Sequence, residues 1–279
     1  MNKLRSSRSL LQSAFRTLFA TGLFFLLAAC QPEDSNSASS ESVSKIRVVT
    51  SGGFTAAYNE LAPRFEEQTG IALQTEYGAS SGGAYDSIPE RLARGENFDV
   101  VILSRPSLDN LSSQGLTAAG SRTDLVRSRV GMAVRAGAPV PDISTVEKFK
   151  QVLLDTSSIG YSASASGTYL STELWPAMGI WSEIERKSQR ILSERVGAVV
   201  ARGDVDIGFQ QISELLPIQG IEFVGPLPDE IQQVTTFSAA ITANAINVSA
   251  ASELIEFLSS PAVAPVITAQ GLEAVAGND

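Results

Sequence analysis

The chain contains no histidine, and that absence removes several kinds of chemistry. A Ser-His-Asp triad needs an imidazole to take the serine proton, so none can form. Zinc sites draw mainly on His and Cys, and Cys30 is the single cysteine in 279 residues. The same count rules out a disulfide within the chain. No G-x-x-x-x-G-K-[ST] phosphate loop occurs, so the chain is not itself an ATPase. Ser42-x-x-Lys45 has the spacing of a Ser-Lys pair, but it lies in a polar stretch read below as a tether. No cofactor and no metal are expected.

Basic residues are the minority, 21 against 30 acids. Four of them, Lys3, Arg5, Arg8 and Arg16, lie in the first 29 residues, which hold no acid. The whole chain carries −9 and those 29 residues +4, so residues 30–279 carry −13. Binding a phosphate backbone needs a basic face, so nucleic acid is not an expected partner. A small anion is not excluded, because backbone N–H groups can make a local site in an acidic body. With 43% apolar residues the chain has the material for a core without cross-links.

The basic start is followed by an apolar run over residues 18–29, too short to span a bilayer, which takes about 20 residues. It closes on Leu27-Ala28-Ala29-Cys30, then turns polar at Gln31-Pro32-Glu33-Asp34. This order reads as an export signal. Leu-Ala-Ala-Cys resembles the lipobox of bacterial lipoproteins, which implies that Cys30 is acylated and becomes the first mature residue. An uncleaved anchor helix, or a plain signal with a free thiol, are the other readings. The expectation is a signal over 1–29 and a lipidated, Ser-rich tether over 30–44. The folded part is then held outside the cytoplasm, on the periplasmic or cell-surface face of a bacterial membrane, by lipid alone. A monomer is expected.

Regular structure is expected from Lys45. The β-branched run 46–50 reads as a strand. Phe54, Ala57, Leu61 and Phe65 follow at helical spacing, with Gly70 as the stop. A strand over 73–77, a helix over 88–94, a buried strand over 99–103 and a helix over 108–114 continue the alternation. This rhythm predicts a parallel sheet covered by helices. A second series has strands at 130–134, 158–161, 207–210 and 234–241. Its helices fall at 145–155, 168–178, 196–202 and 251–258, and an irregular connection runs around Gly225, Pro226 and Pro228. The expected fold is a two-lobed α/β architecture with a ligand cleft between the lobes. Lobe I would be 45–124 plus 240–279 and lobe II 130–233, with crossings near 124–130 and 233–240.

Four turns share one design, small or hydroxyl residues between a strand end and a helix start. They are Thr50-Ser51-Gly52-Gly53, Ala79-Ser80-Ser81-Gly82-Gly83, Ser164-Ala165-Ser166-Gly167-Thr168 and Glu194-Arg195-Val196-Gly197. Helix N-termini offer unsatisfied N–H groups and partial positive charge, so these turns suit an anion at the carboxyl ends of parallel strands. Ordinary capping would use the same residues. Arg105 follows the buried third strand. Arg195 opens a helix, where the dipole disfavours a cation. Either could grip a carboxylate, and either could be a surface ion pair. Gln210 and Gln211 close another strand, as ligand donors or plain turn residues. Trp175 and Trp181 read as packing.

These patterns resemble the type II periplasmic solute-binding proteins, most closely the molybdate-binding family, over about residues 45–275. Ser51-Gly-Gly-Phe-Thr-Ala-Ala57, Tyr77-Gly-Ala-Ser-Ser-Gly82 and residues 93–102 are similar to its first lobe. Ser166-Gly167-Thr168-Tyr169, residues 196–203 and Asp206-Ile-Gly-Phe209 are similar to its second. The resemblance implies closure over a small anion and delivery to an ABC permease. The four turns and the two arginines, read together with the resemblance, predict a ligand site at Ser51, Gly52, Gly53, Ser80, Ser81, Ser166, Gly167, Thr168 and Arg195, with Arg105 and Gln211 beside them. This chain departs from the family at Gly53, where a ligand serine is usual, at Gln210-Gln211, where a ligand tyrosine is usual, and at Arg195. An arginine favours a polycarboxylate over molybdate or another oxyanion. A subset of the family resembles aconitate isomerase, an exported enzyme. The leading expectation is a tethered binding lipoprotein without turnover. The alternative is an isomerase whose base is drawn from Tyr161, Tyr169, Glu173 or Glu194. A third reading is a sensing or adhesive lipoprotein.

Overall fold

The computed structural model describes residues 45–275, Gly82 excepted. The signal, the tether and Cys30 lie outside the described residues. The chain opens with β1 (Lys45–Ser51), α1 (Gly52–Thr69), β2 (Ala72–Gly78), α2 (Ile88–Ala93), β3 (Val100–Ser104) and α3 (Arg105–Ser113). β1 runs parallel to β2 and to β3, as the alternation predicts. All five residues of β3 are buried, which is what its unbroken apolar run demands of a strand covered on both faces. α1 stops at Gly70, which takes φ 71° and donates its N–H to Glu66 O.

β4 (Thr123–Arg135) comes next, then α4 (Val146–Asp155), β5 (Ile159–Ser162), α5 (Ala165–Tyr169), a π-helical turn (Leu170–Leu174), α6 (Trp175–Ala177) and α7 (Trp181–Ile184). β6 (Ser188–Ile191), α8 (Val196–Arg202), β7 (Ile207–Gln211), α9 (Ile212–Leu215), β8 (Ile221–Pro226) and β9 (Val234–Ile241) follow. The described chain closes with α10 (Val248–Ser259), α11 (Ala264–Ala269) and β10 (Glu273–Ala274). The strand order is β2-β1-β3-β9-β4-β7-β5-β6, with β8 and β10 paired to β4 off that path.

The sheet is mixed. β9 is antiparallel to β3, and β4 is antiparallel to β9 over Thr123–Arg129. β4 then changes neighbours, pairing with β7 over Val130–Val134 and with β8 to Arg135. Two apolar cores flank this shared strand. One gathers Val48, Phe54, Phe65, Val100, Phe237 and Leu254. The other gathers Val130, Phe149, Tyr161, Trp175 and Phe209. The fold is therefore a two-lobed α/β architecture. Buried Asp99 ties the late chain to β1: its Oδ2 accepts from Arg47 N at 2.8 Å, and its Oδ1 accepts from Ile246 N at 2.7 Å.

Several elements differ from the sequence reading. The strand expected over 130–134 begins at Thr123, because Leu125 and Val126 pack into the first core. The stretch read as irregular around Gly225 and Pro226 is the end of β8. Pro226 fits there because β8 pairs only with β4, across a register shift at Met132/Ala133. The helix expected at 168–178 begins at Ala165 and passes through the π-helical turn. β6, α7, α9, α11 and β10 were not anticipated; all are short.

Trp175 is fully buried, stacked on Trp181 at 5.8 Å and edge-on to Tyr161 at 5.3 Å and Phe209 at 6.0 Å. Its Nε1 has no hydrogen-bond partner. Trp175→Ala should cost about 3–5 kcal/mol in urea unfolding. Trp175→Phe should cost well under half of that, since it keeps a ring and removes an unsatisfied N–H. A loss below about 1 kcal/mol in the alanine variant would mean that this ring does not organise the second core.

Candidate functional site

A cavity of about 450 Å3 opens where β1, β2, β5 and β7 end. Its wall includes Gly52, Gly53, Ser80, Ser166, Arg195 and Gln211 of the sequence-predicted residues. Gly52, Gly53, Ser80 and Ser166 bring little side chain to the wall, Arg195 and Gln211 add long polar groups, and Tyr77, Leu192 and Phe237 also line it. Ser80 Oγ accepts from Ser104 N at 2.9 Å, which anchors the second loop and leaves its O–H as a donor. Gln211 donates Nε2 to Thr235 Oγ1 at 3.0 Å, while its buried Oε1 has no partner.

Not every expected residue joins this wall. Ser51 is buried behind it, its Oγ without a partner. Gly167 is also behind it, and is glycine for a packing reason: a Cβ there would lie 1.6 Å from Ser162 O. Ser81, Thr168 and Arg105 line a second cavity of about 480 Å3, which shares Ala165 with the first. Arg105 is an exposed surface cation there, bonded to Asp124 at 3.1 Å and near Asp109 at 3.9 Å. Its position after β3 is thus satisfied by ion pairing.

Arg195 differs. It is the N-cap residue of α8 and is partly buried. Among the described residues it is the one arginine that is not exposed and has no ion pair. A cation at a helix N-terminus gains nothing from the helix dipole, so an anionic ligand would supply the missing partner.

The bases considered from sequence fall elsewhere or are occupied. Tyr161 packs edge-on to Trp175 outside the wall. Tyr169 lines the second cavity and donates its hydroxyl to Ile231 O at 2.9 Å. Glu173 is in that second cavity too. Glu194 lines the first but is exposed and accepts both N–H arms of Arg202, at 2.8 and 3.1 Å.

The residue that sequence reasoning missed is Glu214. It sits in α9, lines the first cavity and is 9% exposed. Gln210 Nε2 donates to its Oε1 at 2.9 Å. Burial pushes its carboxyl up to about 7; Arg195 and the Gln210 hydrogen bond oppose that rise without cancelling it. The available signal was an acid four residues after Gln210, enclosed by apolar Ile212 and Leu215-Leu216. Four residues are too few for a periodicity to flag. Among the described residues no cluster of His, Cys, Asp or Glu could hold a metal ion, and no single helix is long and apolar enough to cross a membrane.

The profile of the family described as bacterial extracellular solute-binding protein matches residues 46–273. An aconitate isomerase from Pseudomonas sp is 43% identical over 233 residues, covering 84% of this chain and 89% of that one. The molybdate-binding protein ModA of Azotobacter vinelandii is 25% identical over 239 residues, covering 81% and 89%. The solved periplasmic molybdate-binding protein of Azotobacter vinelandii superposes with a TM-score of 0.64 at 21% identity, covering 81% and 98%.

Glu214 should leave a mark on stability. Its folded-state value, about 7 against an ordinary 4.5, favours the protonated form in the native protein. The contribution is therefore complete at pH below the ordinary carboxylate value. It is lost as pH rises through about 7, to the extent of ~3 kcal/mol. Urea unfolding of the unliganded chain between pH 4.5 and 8.5 should show this loss in wild type and its absence in Glu214→Gln. Parallel profiles would contradict it.

Proposed function

The chain belongs to the bacterial extracellular solute-binding protein family, of the molybdate-binding type, and from that premise we propose that it takes an unsaturated tricarboxylate of the aconitate class and isomerises it in the cavity. The observation that carries this reading is Arg195, partly buried at the wall with no carboxylate partner of its own. A tetrahedral oxyanion needs only neutral donors, whereas a carboxylate matches a guanidinium through two parallel hydrogen bonds. The 43% identity to an aconitate isomerase supports the same class.

The proposed binding set is Arg195 for one carboxylate, with Ser80, Ser166 and Gln211 and the N–H groups at the start of α1 for the others. Ser51 and Gly167 support these from behind. Ser81, Thr168 and Arg105 belong to the neighbouring cavity and act, on this reading, outside the first contacts. The lobes are taken as 45–124 plus 240–279 and 130–233, with the ligand held between them.

The chemistry asked of the protein is a proton shift along an allylic system. A proton leaves the methylene carbon beside the double bond, the electron pair spreads into the adjoining C=C and carboxylate, and a proton returns to the former vinyl carbon. The step needs a base near that methylene and positive charge near the carboxylate that receives the electrons. Delivery of an anion to an ABC permease without turnover is the second reading, supported by the 25% relative that binds molybdate. In either case the chain acts outside the cytoplasm, tethered by acylated Cys30.

Calorimetric titration separates the ligand classes. Arg195→Ala should weaken trans-aconitate by at least tenfold, the ratio that about 1.4 kcal/mol represents, because charge-assisted hydrogen bonds carry ~1.5–3 kcal/mol each. Molybdate binding, if any, should change far less. Tight molybdate binding with no response to any tricarboxylate would overturn the ligand assignment. For the anchor, Cys30→Ala should move the protein from the membrane to the soluble fraction; unchanged retention would refute acylation there.

A further inference from the structure

Glu214 is seated by a chain of contacts that leaves little freedom. α9 starts directly where β7 ends, with Gln211 as its N-cap. Gln210, just before it, uses its carbonyl oxygen to accept Val196 N–H at 2.8 Å. With the oxygen committed, its NH2 is the end that faces the carboxyl, which fixes the orientation of the amide. That NH2 donates to Glu214 Oε1 at 2.9 Å, and among the described residues nothing else donates to Glu214. The neighbouring Ser213 donates Oγ to Gly53 O at 2.7 Å, pinning α9 against the first turn of α1. There Gly52 leaves the room that the carboxyl fills: a Cβ on Gly52 would stand 1.9 Å from Oε1.

The groups packed around this carboxyl are few in kind. α1 presents Gly52 and the backbone of Gly53, and β7 presents the neutral amide of Gln210. The charged group that acts on Glu214 is Arg195, at the head of α8. The other acids on the cavity wall, Asp86 and Glu194, are exposed. Tyr77 also lines it, but its hydroxyl donates to Asn59 Oδ1 at 2.8 Å and the residue is 50% exposed.

A 1,3-proton shift works best with one group that takes the proton from one carbon and hands it to another on the same face of the ligand. That group must lie at the ligand, away from bulk water, and be as ready to hold the proton as to release it. We propose that Glu214 is this catalytic residue, the proton carrier of the isomerisation. Its carboxylate takes the proton from the methylene carbon as the C–H bond breaks. The electron pair forms a dienolate whose charge faces Arg195. The carboxylic acid then returns the same proton to the former vinyl carbon, forming the new C–H bond and shifting the double bond by one position. The step is redox-neutral and leaves no net proton. Gln210 is the positioning residue that aims the carboxyl. The proposal rests on the tricarboxylate reading of the same cavity. Its elevated proton affinity, near neutrality, is the value such a carrier needs.

The test uses the full chain and its Glu214→Gln and Glu214→Asp variants with trans-aconitate, followed by turnover and by calorimetry. Glu214→Gln should lower kcat by about 10²-fold or more while trans-aconitate affinity stays within about threefold, a change of less than 1 kcal/mol. Glu214→Asp should keep measurable turnover and move the ascending limb of the kcat/KM profile, which in wild type should lie near pH 7. Thermal unfolding of each variant checks that it folds. Wild-type turnover with little change in Glu214→Gln overturns the proposal alone. Loss of binding and turnover together in a folded Glu214→Gln overturns it too, by making Glu214 a ligand contact. A wild-type chain that binds trans-aconitate without converting it overturns the isomerase reading and the proposal with it.

Discussion

Burying the Glu214 carboxyl against the start of α1 constrains everything around it. A carboxylate taken out of water is costly unless it is paired or protonated, and here a single amide donates to it. The chain accommodates it with several separate features. Gly52 leaves room, Gln210 fixes the donor, Val196 N–H fixes Gln210, and Ser213 holds the two walls together. Removing any one would let the carboxyl swing, so these positions act as a unit, and their substitutions should not add independently.

The site also shows how a protein of net charge −9 can present a place for an anion. The field of the whole chain repels a tricarboxylate at a distance. The cavity wall offers an anion one arginine without an ion pair, N–H groups at a helix start and short hydroxyls, with Asp86 and Glu194 exposed beside them. Among the described residues most of the other arginines are tied to carboxylates, as Arg91 is to Glu76 and Glu96 and Arg202 is to Glu194 and Asp204. Leaving Arg195 out of such pairs keeps one partly buried cation for a ligand.

Much of the fold was legible because its strands are apolar runs and its helices are long. β1, α1 and β3 follow directly from residues such as Val48, Phe54, Leu61 and Val101. β6 was not legible: Gln189 and Arg190 give it no apolar signature, since it is an edge strand with two exposed residues of four. β8 was hidden by Gly225 and Pro226, which an edge tolerates. At the site, Arg195 could be picked out because a cation opening a helix is locally unfavourable. Ser80 and Ser166 could be picked out by their turns. Glu214 could not, because its meaning depends on the absence of a side chain at Gly52, far away in sequence. Of the two carboxylates beside Arg105, Asp109 lies one helical turn away in sequence, whereas the closer one, Asp124, lies on β4 and has no local signal.

Movement of a proton along an allylic tricarboxylate in this cavity, as proposed, leaves a signature in the product. The most direct measurement is proton NMR of trans-aconitate incubated with the full chain in deuterated water. Cis-aconitate should appear, with the deuterium content of its new methylene reporting how often the carried proton exchanges with solvent before its return. Unchanged trans-aconitate with no deuterium uptake, in a sample that still binds the ligand, would contradict it.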